Sequence, residues 1–186
     1  MTARPDPGDR HNLGGTELKR LHREWRRRTT GRIALLLDGV QSPFNVGAIL
    51  RTAAAAGVDH LWLAGDTAPP RGAKTQKTAL GTDRYLTWTT CATGVDAARA
   101  AHADGYEVIG LELASGAVAL PEAALHGDVC LAVGHEDRGL SRELLGACSS
   151  IVFIPQVGRV GSLNVATATA IGLYELRRRG WAPENL

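Results

Sequence analysis

Residues able to do chemistry gather in three stretches of the 186-residue chain. In DGVQSPFNVGAILRTAAAAGV, Asn45 stands six positions before Arg51; in VGHEDRGLS, Glu136 stands between Gly134 and Gly139; in IPQVGRVGSLNVATATAIGLYELRRRG, Ser162, Leu163 and Asn164 open a helix made largely of Ala, Thr and Gly. Asn45 and Arg51 lie near the start of a helix after the first apolar run, and arginine keeps its charge at any physiological pH. The glycines permit a close backbone approach or a positive φ. Free N–H groups at a helix start, with Ser162 as cap, can satisfy a ligand's acceptors. Plain turns and an ordinary N-cap use the same residue types. Each stretch taken singly leaves both readings open.

Other chemistries lack their residues. No G-x-G-x-x-G follows an apolar run, and no G-x-x-x-x-G-K-[ST] occurs, which argues against dinucleotide and P-loop enzymes. Ser162 lacks the G-x-S-x-G elbow, and the six histidines make neither an H-E-x-x-H site nor a recognisable triad. His135, Glu136 and Asp137 are adjacent in the chain, and three successive side chains do not converge on one ion in ordinary backbone geometry. No metal site is expected. Cys91, Cys130 and Cys148 lack metal-ligand spacing and read as buried thiols.

The elements that must position these stretches are short apolar runs: IALLLD from Ile33, HLWLAG from His60, YLTWTT from Tyr85, EVIGLE from Glu107, VCLAV from Val129 and IVFIP from Ile151. Helical segments separate most of them. That alternation predicts a single α/β domain with a largely parallel sheet and helices on both faces, and runs apolar throughout suit strands covered on both sides. All three polar stretches then follow strand ends, where ligands bind in such sheets. Ahead of the first strand, ELKRLHREWRRRTTG predicts a basic helix with Leu18, Leu21 and Trp25 on one stripe, able to dock while showing its arginines.

Charge is unevenly placed. The net charge is +2, yet residues 1–32 carry nine Lys or Arg against four acids. A basic arm on a mildly acidic body fits a polyanionic partner such as nucleic acid, and equally a solvated helix face. No apolar run reaches the ~20 residues of a membrane helix, and MTARPDPGDRHNLGG has no secretory h-region. A cytoplasmic protein without a membrane partner is expected.

Together and in order, the three stretches resemble the SpoU or TrmH-like branch of the SPOUT RNA 2′-O-ribose methyltransferases. The resemblance covers roughly residues 31–178: NVGAILRTAAAAGV carries the family's Asn and Arg at Asn45 and Arg51, LAVGHEDRGLS matches with Gly134, Glu136 and Gly139, and IPQVGRVGSLNVATATAIGLYE resembles the third motif. The chain departs at His135, where relatives commonly carry Asn or Gln. The resemblance implies a C-terminal deep trefoil knot, and the small residues Ala166, Ala168, Ala170 and Gly172 agree with a close backbone crossing. It also implies three segments: a basic arm over 1–30, a SPOUT methyltransferase domain over 31–180 and a tail over 181–186.

For the site, the resemblance implies S-adenosyl-L-methionine as cofactor, held near Gly134, Ile154 and Leu163 with Ser162 shaping the pocket. A ribose hydroxyl is a poor nucleophile at neutral pH and needs help in losing its proton. Arg51 would stabilise the oxyanion and hold a phosphate, Asn45 would orient Arg51 or the ribose, and Glu136, Ser162 and Asn164 would complete the catalytic site. The family also implies a homodimer and an RNA substrate. The arm resembles that of tRNA guanosine methyltransferases, making tRNA, and a D-loop guanosine within it, the expected target. Another tRNA position, ribosomal RNA, a silent RNA-binding protein and a small-molecule methyltransferase are the alternatives. Arg20, Arg23, Arg26, Arg27 and Arg28, joined by Arg177, Arg178 and Arg179, would meet phosphates.

Overall fold

The structure is a computed structural model and describes residues 11–181. The first ten residues of the arm and all of the expected tail except Trp181 lie outside the described residues. In chain order the elements are α1 (Gly15–Arg28), β1 (Ile33–Asp38), α2 (Pro43–Ala56), β2 (His60–Ala64), α3 (Ala73–Ala79), β3 (Trp88–Cys91), α4 (Gly94–Ala103), β4 (Glu107–Leu111), β5 (Val118–Ala119), β6 (Val129–Gly134), α5 (Arg142–Ala147), β7 (Ser150–Phe153) and α6 (Val165–Arg179). The seven strands form one sheet in the order β3-β2-β1-β6-β4-β7-β5, every pair parallel.

Alternation along β1 explains the layers. Leu35 and Leu37 face a core shared with Val46, Ile49, Leu50 and Ala53 of α2 and Leu173 and Leu176 of α6. Ala34 and Leu36 face the opposite core, with Ala97, Ala98 and Ala101 of α4 and Leu144 of α5. A parallel sheet needs both faces covered, and β1 is accordingly apolar from Ile33 to Leu37. Gly172 lets α6 lie against the sheet, since a Cβ there would come within 2.7 Å of Leu131 Cδ2.

Several expectations are corrected. The third strand starts at Trp88, because Thr82–Tyr85 winds into a 3₁₀ turn and leaves Tyr85 exposed. The two-residue β5 was not expected from the sequence. Of the thiols only Cys130 is fully buried; Cys91 and Cys148 are half-buried. The α1 stripe does not dock: no residue of α1 is buried, and Leu18, Leu21 and Trp25 stay 41, 37 and 37% exposed. The helix stands off the body and meets it at its end, where Trp25 and Trp181 pack with centroids 4.9 Å apart and Thr29 bridges Trp181.

Arg177 and Arg179 also leave the expected RNA-binding set. Arg177 is buried and donates from Nε to Ala56 O at 2.7 Å, from Nη1 to Gly31 O at 2.9 Å and from Nη2 to Gly57 O. Two of those carbonyls close the end of α2, so a guanidinium from α6 caps its negative pole. Arg179 is held by Glu175 and by the carbonyls of Ala123 and Leu120. Arg178 is exposed and, among the described residues, paired with Glu175 on its own helix. Arg177→Met should therefore lower unfolding stability by about 3 kcal/mol, through the carbonyls left unpaired, while Arg178→Met should stay within about 0.5 kcal/mol. Urea unfolding midpoints of the two variants test the contrast.

Candidate functional site

Three loops meet at the carboxyl ends of β1, β6 and β7. After β6 the chain folds tightly: His135 N donates to Gly139 O at 3.0 Å and Gly139 N returns to His135 O at 2.9 Å. Any Cβ at Gly134 would fall inside the Gly139 peptide, and Gly139 has φ +67° with Glu112 against it, so both positions require glycine. Carboxylates brace this loop. Glu112 Oε2 accepts Leu140 N at 2.9 Å, and Asp38 Oδ2 accepts Ser141 N at 2.9 Å and Ser141 Oγ at 2.6 Å. His135 Nδ1 accepts Asp137 N at 3.0 Å, which puts the proton of the neutral ring on Nε2.

Glu136 turns from this loop to the start of α2. Its Oε1 accepts Ser42 N at 3.0 Å and Asn45 Nδ2 at 2.8 Å, and its Oε2 accepts Gln41 N at 3.2 Å. A carboxylate at a helix N-terminus is favoured by the helix dipole. Burial by itself would raise its pKa, but hydrogen bonds from the Asn45 side chain and from the backbone of Glu136, Ser42 and Gln41 outweigh that and hold it below the ordinary 4.5. Asn45 Oδ1 in turn accepts Asn164 Nδ2 at 3.0 Å. Asn164 Oδ1 accepts Ala166 N and Thr167 N, at 3.0 and 3.3 Å. One carboxylate and two amides thus join all three sequence stretches.

This geometry revises two readings. The cap of α6 is Asn164, because the helix begins at Val165, so Ser162 remains an exposed loop residue. Asn45 does not orient Arg51: its amide is taken by Glu136 and Asn164, and six residues of helix turn Arg51 roughly 120° away and about 9 Å along the axis. Arg51 is exposed, and its side chain makes no hydrogen bond or ion pair among the described residues.

Beside the network lies a cleft of about 290 Å³. Its lining includes Gly134, Ile154, Ser162 and Leu163, the positions expected to hold a cofactor, together with Glu136; Arg51, Asn45 and Asn164 are not part of it. Leu111, Val133, Phe153 and Val165 supply apolar walls, and His135, Gln156 and Ser162 supply polar groups. Among the described residues Gln156 Oε1 is buried without a hydrogen-bond partner in the protein. Apolar walls with a few placed polar groups fit an amphipathic organic ligand. No group of three or more His, Cys, Asp or Glu side chains gathers as a metal site among the described residues. Sequence reasoning missed Glu112 and Gln156; each is a polar residue just past an apolar strand, which is the signal that marks them.

The SpoU rRNA Methylase family model matches residues 32–174, and the chain belongs to that family. Among curated relatives, a 23S rRNA (guanosine-2'-O-)-methyltransferase RlmB of Xanthomonas axonopodis pv. citri (strain 306) is 35% identical over 147 residues, covering 79% of this chain and 59% of that protein. The tRNA (guanosine(18)-2'-O)-methyltransferase of Escherichia coli (strain K12) is 30% identical over 151 residues, covering 79% and 63%. The chain thus spans less than two thirds of the length of these curated relatives. An AdoMet-bound rRNA methyltransferase from Sinorhizobium meliloti superposes with TM-score 0.76 at 34% identity, covering 83% of this chain and 59% of that one.

A depressed carboxyl pKa adds stability that is present above the ordinary value and lost as pH falls through the folded one. Glu136→Gln should therefore be less stable than the parent at pH 7, with the difference shrinking as pH drops below 4.5. Thermal melts of both proteins from pH 7 to pH 3 measure this.

Proposed function

We propose that this protein is an S-adenosyl-L-methionine-dependent RNA 2′-O-ribose methyltransferase. The observation that carries the reading is the Glu136–Asn45–Asn164 network, which sets three family motifs around one cleft. Gly134, Ile154, Ser162 and Leu163 would hold the cofactor, which supplies an electrophilic methyl group when bound. Arg51, exposed on α2 and unpaired among the described residues, would meet the substrate phosphate and stabilise the charge developing on the ribose oxygen. Glu136, Asn45 and Asn164 act as positioning residues, and Ser162 shapes the mouth of the cleft.

The same reading takes the C-terminal segment as a trefoil knot. It is supported by the path of the chain: β7 lies beyond β4 in the sheet, yet the α6 that follows packs back onto β6, β1 and α2. It also takes the protein as a homodimer. In support, α6 leaves Ile171 and Tyr174 40 and 62% exposed, and Arg51, absent from the lining of its own cleft, is open to a neighbouring subunit.

We take tRNA as substrate, with a D-loop guanosine as the target. The arm supports this: Arg20, Arg23, Arg26 and Arg27 are exposed on α1. Ribosomal RNA is the second reading, favoured by relatives named for 23S rRNA that reach 35–36% identity against 30% for the tRNA enzyme.

Incubation with methyl-labelled S-adenosylmethionine and separated tRNA and ribosomal RNA pools, followed by mapping of the modified nucleotide, decides between them; label in neither pool refutes the activity. Arg51→Lys keeps the charge but loses the planar fork, and turnover should fall about 100-fold; near-normal turnover would remove Arg51 from this role. Replacing Arg20, Arg23, Arg26 and Arg27 together by Gln should weaken RNA binding and flatten the salt dependence, by about 0.9 in log–log slope for each phosphate no longer neutralised. Filter binding across a salt series reads both, and cofactor affinity should not change.

A further inference from the structure

We infer that the turn between α3 and β3 is a stacking platform for an unpaired base of the RNA, formed by Tyr85 with Arg84. This rests on the RNA reading above and adds to it a contact surface separate from the arm. Arg84 Cζ stands 4.8 Å from the centroid of the Tyr85 ring, and Tyr85 is 67% exposed, so the guanidinium takes one face of the ring and leaves the other to solvent. The backbone on either side is held: Ala79 and Leu86 are buried, and Leu86 N donates to Asp83 O at 3.0 Å. Between them Leu80 has φ +51°, the one non-glycine residue in the left-handed region among the described residues, with its side chain 64% exposed. That conformation is strained for a leucine, and the chain's own packing does little to offset it. Such strain is expected at a surface that a partner completes.

Charge indicates the kind of partner. Residues 33–186 hold 12 Lys or Arg against 15 acids, yet residues 71–85 hold Arg71, Lys74, Lys77 and Arg84 against Asp83 alone. All four cations are exposed, and none is in an ion pair among the described residues. A cationic island on a mildly acidic body suits phosphates. An exposed tyrosine beside a guanidinium suits the π-face of a base, since aromatic rings and arginine planes both stack on it. A duplex hides those faces, so the base has to be unpaired. The position also fits. A Cβ at Gly47 would fall 2.6 Å from Thr75 O, so α3 lies directly against α2. Arg51 stands four residues beyond Gly47, about 40° round the helix, and so is carried on the α3 side of α2. A strand whose phosphate meets Arg51 passes beside the turn.

Stacking tolerates any base, so two single strands of about 12 nucleotides serve as probes: oligoadenylate, and an abasic ribose-phosphate strand with the same number of phosphates. Filter binding at fixed salt should show the parent favouring oligoadenylate. Tyr85→Ala should weaken oligoadenylate binding by about 5- to 100-fold and leave the abasic strand unchanged, whereas Tyr85→Phe, which keeps the ring, should bind both like the parent. Arg84→Gln should weaken both strands. Unchanged thermal midpoints establish that the variants are folded. A parent without preference for the base-bearing strand overturns the proposal, as does a folded Tyr85→Ala variant that keeps the preference or loses affinity equally for both strands. Light scattering that shows a dimeric parent becoming monomeric in Tyr85→Ala also overturns it, because the turn is then a subunit contact. Methyl transfer is read separately: if RNA pools stay unlabelled by a parent that shows the Tyr85-dependent preference, the methyltransferase reading fails and the platform stands.

Discussion

The carboxylate of Glu136 is the interaction on which the rest of the site depends. It sits at the amino end of α2 and accepts two backbone N–H groups and the Asn45 amide. The opposite end of the same helix is met by the Arg177 guanidinium, bonded to Ala56 O and Gly57 O. An anion at the start and a cation at the end complement the helix dipole at both poles. Asn164 and Arg177 both belong to or flank α6, so this helix is tied to α2 near each of its ends. The three loops cannot move independently: shifting the loop after β6 displaces the start of α2, and through Asn45 the cap of α6.

Backbone contact makes that linkage narrow in its tolerance. The loop from His135 to Gly139 closes on itself through paired hydrogen bonds, with no room for a side chain at Gly134. Glu112 and Asp38, at the ends of neighbouring strands, satisfy the amides that follow. Strand ends therefore supply two services: apolar residues bury the sheet, and the first polar residue past the edge pins a loop. Chemistry is concentrated where both occur, at the carboxyl ends of β1, β6, β4 and β7.

Much of this was legible in the sequence, for physical reasons. A strand buried on both faces must be apolar throughout, so IALLLD, HLWLA, EVIGL and VCLAVG show their positions directly. Glu136, Asn45 and Asn164 were legible as residue types at fixed places. Their mutual bonds were not, because a contact between residues 91 or 119 positions apart leaves no periodic trace. Trp88–Cys91 ran together with Tyr85 since a 3₁₀ turn and a strand tolerate the same short polar-aromatic pattern. The run Arg177–Arg178–Arg179 looked uniformly cationic, yet successive residues on a helix point about 100° apart. One guanidinium is therefore buried, one shared between Glu175 and two carbonyls, and one exposed.

The same 100° step organises α1. With Leu18 set at zero, Leu21 and Trp25 fall within about 60° of it, while Lys19, Arg20, Arg23, Arg26 and Arg27 spread over roughly 80–200°. The apolar stripe and the cationic face are thus nearly opposite. A helix using both faces has to lie between two surfaces, and among the described residues it meets one, through Trp25 against Trp181. The stripe continues past that contact, since Tyr174 packs edge-on against Trp181 with centroids 5.5 Å apart. Aromatic side chains therefore connect the arm to the exposed face of α6, whose other end carries Asn164. The arm is attached, through α6, to the elements around the cleft, which are those that the RNA of the proposed function would have to reach.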